Sequence, residues 1–388
     1  MDSENRYAKR GVSAQKEEVH AAVKGLDQGL FPKAFCKIYP DYLSGDKNYG
    51  SIIHADGSGT KSILAYLKWR ESGDLSCWEG IAQDAIVMNL DDMLCVGAEG
   101  PFIFSSILNR NKHLIKGEVI EAIIQGSYKV FQTLKEFGVH IEFLGGETAD
   151  VGDLVRTLTV DGTMACRIPL KNVINAADIK AGNCIVGLSS TGQAAYENAP
   201  NSGIGSNGLT SARHDLLSDF YLKKYPECAD PSTPADLAYS GPYKLEDNLA
   251  GGENIGDLIL SPTRTYAPVL LETFKHWKGK IDGIIHCTGG GQTKVLHYAD
   301  NCHIIKDDLF ETPVIFKEIQ KVSGAAAKEM YQVFNMGHRM EIYTDEKTAF
   351  KIIESAAQFN IDAKVIGRVE AAPEKKLSIH SGEEVINF

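Results

Sequence analysis

The stretch Asp56-Gly57-Ser58-Gly59-Thr60-Lys61 most constrains what this chain can fold into, because it follows directly on the apolar run Ser51-Ile52-Ile53-His54-Ala55. The β-branched residues of that run suit a buried strand, so the polar hexapeptide is expected at a strand's carboxyl end, where open α/β sheets present their ligands. Glycines there let backbone N–H groups approach an anion closely, and Lys61 adds a charge that the amides lack. A phosphate accompanied by a metal ion is the natural guest, although Asp-Gly followed by Ser-Gly also makes an ordinary β-turn. A Walker A loop is excluded, since Thr60 and not glycine precedes Lys61.

Two further stretches set carboxylates beside apolar runs. From Asp84 to Pro101, the apolar residues Ile86, Val87, Leu90, Met93 and Leu94 recur at helical spacing, which predicts one buried helix with Asp84, Asn89, Asp91 and Asp92 spread around it. Burying an unpaired charge costs roughly several kcal/mol, so these carboxylates need partners; Asp91 is read equally well as a residue of a solvated face. In the third stretch, Val119 to Phe137 forms an amphipathic helix stopped by Gly138, and Val139–Phe143 alternates as a strand. Gly145-Gly146-Glu147-Thr148 then falls at another strand end, where Glu147 is either a turn carboxylate or a ligand. Mg2+ is bound through one or two carboxylates plus substrate phosphates, so Asp56, Asp92 and Glu147 are the expected metal ligands of a nucleotide site.

These motifs carry a resemblance. Asp56–Lys61 resembles D-G-V-G-T-K, Asp91-Asp92-Met-Leu-Cys-Val-Gly-Ala-Glu99 resembles N-D-[ILV]-x-x-x-G-A-E, and Gly145–Thr148 resembles G-G-E-T. They belong to an ATP-using superfamily that includes aminoimidazole ribonucleotide synthetase, thiamine monophosphate kinase, selenophosphate synthetase and a hydrogenase maturation protein. In the second half, Ser206-Asn207-Gly208, Leu260–Tyr266, His286–Gly291 and Met330–Gly337 are similar, in order, to S-N-G, L-x-P-T-R-x-Y, H-x-T-G-G-G and M-x-x-x-F-N-x-G. That ordered set, over residues 6 to 370, resembles the aminoimidazole ribonucleotide synthetase family, also called phosphoribosylformylglycinamidine cyclo-ligase.

The resemblance implies an α/β (α+β) fold of two α/β domains: an ATP-binding and dimerisation domain over residues 1–169 and a second over 170–388 that completes the active site. It implies ATP and Mg2+ as cofactors, a ribonucleotide substrate and a homodimer built through N-terminal strands. Its catalytic residues would be Lys61 and Asp92. ATP would be bound by Asp56, Gly57, Gly59, Thr60, Lys61, Asp84, Asn89, Asp91, Gly145, Gly146, Glu147 and Thr148. The substrate would be bound by Ser206, Asn207, Gly208, Thr263, Arg264, Thr288, Gly289, Gly290 and Gly291. Three positions depart from the family: Asp91 where asparagine is usual, Gly205 where a histidine usually precedes Ser-Asn-Gly, and Gln292-Thr-Lys-Val where an aromatic and Asn-Ile-Pro-Arg usually follow. The last two keep open another ATP-dependent amide-activating ligase or kinase, or a non-catalytic ATP-binding regulator.

The segments 193–204 and 225–255 are extra relative to the family; the first reads equally as a mobile lid that compensates for the missing histidine or as a tolerated surface insertion, the second as a surface excursion. Gly203–Gly208 matches G-x-G-x-x-G, but no strand is expected just before it, which argues against a dinucleotide site. A helix is expected over 209–225. Net charge of −11 argues against nucleic acid or an anionic membrane as partner. Eight cysteines without a C-x-x-C pair, mostly in apolar strands, read as buried thiols of a reducing compartment. No apolar leader is visible in Met1–Arg6 and no run reaches membrane-span length, so a cytoplasmic location is expected.

Overall fold

Two largely antiparallel sheets organise the chain, in a computed structural model that describes residues 9–12, 21–23 and 25–388. Met1–Arg6 lies outside them. Strands β1 (Tyr39–Pro40), β2 (Tyr49–Gly57), β3 (Phe102–Arg110), β4 (Ile141–Asp150) and β5 (Leu158–Pro169) form a sheet in the order β1-β2-β5-β3-β4, with only β3 and β4 parallel. The second sheet contains β6 (Cys184–Ser189), β9 (Ile281–His286), β10 (Cys302–Lys306), β11 (His338–Thr344), β12 (Ala363–Ala371), β13 (Lys376–Ser381) and β14 (Glu384–Asn387). Its order is β14-β13-β10-β12-β6-β11-β9. β7 (Thr191–Gly192) and β8 (Asn201–Ser202) make a small ribbon between β6 and β9 in sequence.

Helices α1 (Lys61–Ser72), α2 (Cys77–Leu94) and α3 (Gly117–Glu136) belong to the first sheet, and α2 lies against β2, β5 and α3. Every residue of α2 from Asp84 to Leu94 is buried, so no part of this stretch is a solvated face. The second half adds α4 (Leu209–Leu216), α5 (Asp219–Lys224), α6 (Ile255–Leu260), α7 (Ala267–Trp277), α8 (Val314–Ser323), α9 (Ala327–Val333) and α10 (Glu346–Ala357). Where one helix is expected over 209–225, the chain breaks at Leu217-Ser218 into α4 and α5. Two apolar cores join the halves: Leu90 and Met93 pack in one with Ile284 and Met340, Leu64 and Trp78 in the other with Leu209 and Ile285. Each such buried side chain contributes roughly 1.5–3 kcal/mol.

The strand β2 alternates instead of being buried on both sides. Ile52 is enclosed while Ile53 is 70% exposed, because β2 joins an antiparallel sheet with helices on one face only. Ile103 and Ile107 of β3 are also exposed on that outer face. The segment 225–255 is no surface excursion: Cys228, Leu237, Tyr239 and Leu245 are buried, and the Leu245 N–H donates to the Tyr221 hydroxyl (2.8 Å). All eight cysteines are free thiols, six of them buried, but only Cys166, Cys184 and Cys302 lie in strands. Among the described residues no helix is long and apolar enough to cross a membrane.

Candidate active site

The hexapeptide begins within β2 and ends as the first residue of α1, so strand, loop and helix follow each other as expected. Lys61 points inward. Its Nζ donates to Asp84 Oδ1 (3.0 Å) and to the Ser261 carbonyl (2.6 Å), and the Lys61 and Asp84 side chains are fully buried. Burial holds this lysine below its ordinary pKa, against the pull of Asp84. The same Asp84 oxygen accepts from the Thr263 N–H (2.7 Å) and hydroxyl (2.5 Å), and Thr263 Oγ1 lies 2.8 Å from Ser206 Oγ. Four motifs that are far apart in sequence thus meet in one chain of contacts across the two halves.

Asp92 is the second meeting point. Its Oδ1 lies 2.6 Å from His286 Nδ1 and its Oδ2 3.2 Å from His54 Nε2. Burial alone would raise this carboxyl, but the two imidazoles overcome it and the pKa falls below the carboxylate range. Arg339 Nε donates to His286 Nε2 (3.3 Å), so the His286 proton sits on Nδ1 and is directed at Asp92. His54 has an acceptor on each side. Asn89 Nδ2 donates to the carbonyls of Ala85 (2.9 Å) and Asp56 (3.1 Å), which fixes the amide so that its Oδ1 faces His54 Nδ1 at 3.1 Å. An imidazole between an amide oxygen and a carboxylate carries both protons; although burial pulls His54 down, Asp92 and Asn89 raise its pKa above the ordinary value.

Several expected ligands stand elsewhere or are spent. Paired residues run Gly57–Asp161–Ile107–Glu147 across β2, β5, β3 and β4, which places β4 three strand spacings, roughly 14 Å, from β2. Glu147 shares its side of the sheet with the exposed Ile107, whereas Asp56 alternates with Ile53 and so falls on the inner side with His54. It also lies within β4 and not at a strand end. The trio Asp56, Asp92 and Glu147 therefore does not converge on one ion within a protomer. Gly145, Gly146 and Thr148 share this edge strand, where a Cβ on Gly146 would come within 2.1 Å of the Ser106 carbonyl, so packing of β3 on β4 already requires that glycine.

Asp91 is buried and accepts from the Thr265 hydroxyl (2.5 Å) and the Tyr266 N–H (3.1 Å); burial raises its pKa. It anchors the segment before α7, which begins at Ala267. Arg264 is fully engaged within the protein. Its five N–H donors go to both oxygens of Glu197 (3.0 and 2.5 Å) and to the carbonyls of Ser189 (3.2 Å), Thr191 (2.6 Å) and Gly192 (2.7 Å). Glu197 belongs to the segment read as a mobile lid, which this ion pair ties down along with Asn201 Nδ2 on the Pro262 carbonyl (2.8 Å).

Glycine loops complete the site. Gly208 caps α4 in the left-handed region (φ 75°), and a Cβ there would meet Phe334 at 2.4 Å. Gly289, Gly290 and Gly291 all have positive φ in the turn after β9, beside Thr288, whose N–H donates to the His286 carbonyl (2.8 Å). Asn207 is half-buried next to Ser206. A two-residue strand, β8, does precede Gly203, but it pairs antiparallel with β7 and builds no βαβ unit.

Arg339 escaped the sequence reading, since nothing in its neighbourhood distinguishes it from an exposed strand arginine. It is 2% exposed, its Nη2 donates to the Arg264 carbonyl, and its Nη1 has no partner among the described residues. A Cβ on Gly205 would come 3.3 Å from that Nη1, so Arg339 lies directly against the loop before Ser206. Ser58 Oγ and Asp84 Oδ2 are likewise buried without partners. These three open polar atoms, two on the motif segments and one on β11, comprise two donors and one carboxylate oxygen and fit a ligand that carries both anionic oxygens and a cation. Among the described residues, Cys287, His338 and Glu341 also offer ligand atoms within 4.8 Å of one another, but the Lys306 ammonium already sits on Glu341 and Tyr343 donates to its other oxygen (2.7 Å).

Two mixed α/β halves whose glycine loops and carboxylates meet at a shared seam define a two-domain ligand-binding fold, and comparison with known proteins gives its family. The AIR synthase related protein N-terminal domain matches residues 37–168 and the corresponding C-terminal domain matches residues 180–380, so the chain belongs to the AIR synthase related family. It is 30% identical over 342 residues (88% of this chain, 84% of the relative) to a phosphoribosylformylglycinamidine cyclo-ligase of Methanocaldococcus jannaschii. It is 29% identical to one from Methanococcus maripaludis, covering 95% of this chain and 93% of that one. Among solved structures, a complex of AaThiL with AMPPCP and TMP superposes with a TM-score of 0.56 at 13% identity, over 94% of this chain and 93% of that one. Phosphoribosylformylglycinamidine synthase II of Thermotoga maritima superposes at 0.53 and 12% identity; the alignment takes in 99% of this chain and about half, 49%, of that one.

Proposed function

We propose that this chain is a ligase that closes the ring of formylglycinamidine ribonucleotide at the expense of ATP, giving aminoimidazole ribonucleotide, ADP and phosphate. The observation that carries the reading is the contact chain Lys61–Asp84–Thr263–Ser206, which joins the nucleotide-type loop of one half to the substrate-type loop of the other. When bound, ATP supplies the phosphoryl group that turns the formamide oxygen into a leaving group, which the substrate's own amidine nitrogen displaces.

The protein's part is positioning and charge. Lys61 keeps one donor beyond those given to Asp84 and Ser261, close to the open oxygen of Asp84. His54, Asp92 and His286 form a proton-holding row in which Asp92 fixes both rings, and Arg339 adds an unspent donor beside it. Asp56, on the inner side of the sheet, would hold Mg2+ with the nucleotide phosphates, joined by Asp92 through the lone pairs its two imidazole contacts leave; Glu147 remains on the outer face. That face, with Ile53, Ile103 and Ile107 uncovered, supports a homodimer through the first sheet. The reading places the enzyme in the cytoplasm, in two functional units over 1–169 and 170–388. Phosphate release from ATP, measured with and without formylglycinamidine ribonucleotide, tests it: release is expected only with the ribonucleotide, and equal release without it would refute it.

A further inference from the structure

One buried charge outside this site lacks an acceptor. Arg213, in α4, is 3% exposed, and its Nε and Nη1 have no partner among the described residues. Its Nη2 faces His214 Nε2 at 3.0 Å. The Tyr239 N–H donates to His214 Nδ1 (3.0 Å), and burial, with Arg213 and then Arg10 beside it, lowers the His214 pKa to about 2. The neutral ring therefore carries its proton on Nε2, and a donor faces a donor. Nearby acids do not resolve this. Asp215 is paired with Arg10 (2.7 Å), Asp230, which also lines the cavity described next, lies 3.9 Å from Arg156, and Glu227 accepts from the Tyr66 hydroxyl (2.6 Å), so among the described residues the Arg213 guanidinium meets the Tyr239 ring face but no carboxylate. A buried charge without a counter-charge is strongly unfavourable, which calls for an anion.

Arg213 lines a cavity of about 200 Å³ together with His214, Arg156, Thr60 and Thr210, the two threonine hydroxyls being 2.9 Å apart. We propose that this cavity is an oxyanion site that takes a phosphate group, with Arg213 and His214 Nε2 as its buried donors, the threonine hydroxyls on one wall and Arg156 at the mouth. Thr60 immediately precedes Lys61 and Thr210 follows the Ser206-Asn207-Gly208 loop, so the site adjoins the one described above. The phosphate comes either from the 5′ end of a ribonucleotide, a source that rests on the proposed cyclisation, or from free inorganic phosphate, which does not.

Thermal unfolding of the full chain at constant ionic strength, titrated with inorganic phosphate against chloride, tests the site independently of activity. A saturable rise in Tm is expected, with apparent affinity weakened roughly tenfold or more in Arg213→Met and several-fold in Arg156→Gln. Should Arg213→Met fail to fold, Arg156→Gln, altered at an exposed position, carries the comparison alone. The proposal is overturned if wild type gives no saturable shift, or if the folded variants bind phosphate as wild type does. Competition between phosphate and the ribonucleotide, with the KM for ATP unchanged, assigns the site to the nucleotide's 5′-phosphate; protection without competition assigns it to free phosphate. Protection by phosphate in a protein that does not cyclise would refute the proposed function and leave the oxyanion site standing.

Discussion

Asp92→Asn separates the charge of the His54–Asp92–His286 row from its shape. In the wild type Asp92 accepts from two protonated nitrogens, at 3.2 and 2.6 Å. Asparagine keeps one acceptor for His286 Nδ1 and turns its amide N–H toward His54 Nε2, so a neutral His54 with its proton on Nδ1 satisfies the same geometry. Two charge-assisted hydrogen bonds, each about 1.5–3 kcal/mol, become neutral ones of about 1 kcal/mol, and the relief of burying a carboxylate offsets part of the difference. The net loss expected at pH 6 is about 1–2 kcal/mol. His54 has a folded-state pKa above its unfolded value, so its contribution is fully present below about pH 6.5 and disappears as pH rises through the folded value. Urea unfolding at pH 6 and at pH 8.5 should therefore find wild type losing stability toward high pH and Asp92→Asn losing less. The reasoning fails if the variant keeps the wild-type slope, because the raised pKa would then owe nothing to Asp92. In the proposed reaction the same folded variant should lose turnover by orders of magnitude.

Arg264→Lys should cost roughly 3–5 kcal/mol in chemical denaturation, since a lysine cannot replace a fork bonded to Glu197 and three carbonyls; Arg264→Met with Glu197→Met should cost less than the sum of the single changes. Light scattering at micromolar concentration is expected to give the mass of a dimer, and Ile107→Asp on the outer face to give a monomer that stays folded; a monomeric wild type would sink the dimer.

Much of the fold and site was legible in short segments, for local physical reasons. The hexapeptide carries its own strand end and helix start, the helical spacing from Val119 to Phe137 finds α3, and the order of seven motifs points to the family. Asp84 and Asp92 stand out because carboxylates inside an apolar helix need partners. What the sequence could not settle was which side of a sheet, and which partner, each charge would meet. Glu147 looks equivalent to Asp56 in a linear reading, but the strand order β1-β2-β5-β3-β4 sets them on opposite faces with two strands between. Arg264 reads as a substrate ligand until Glu197, 67 residues away, closes on it. Arg339 gains its place only because β11 pairs with β9 and brings it beside His286. Local periodicity and turn chemistry act over a few residues and so can be read from the chain; the pairing of buried charges depends on contacts between remote segments, and tertiary packing alone decides it.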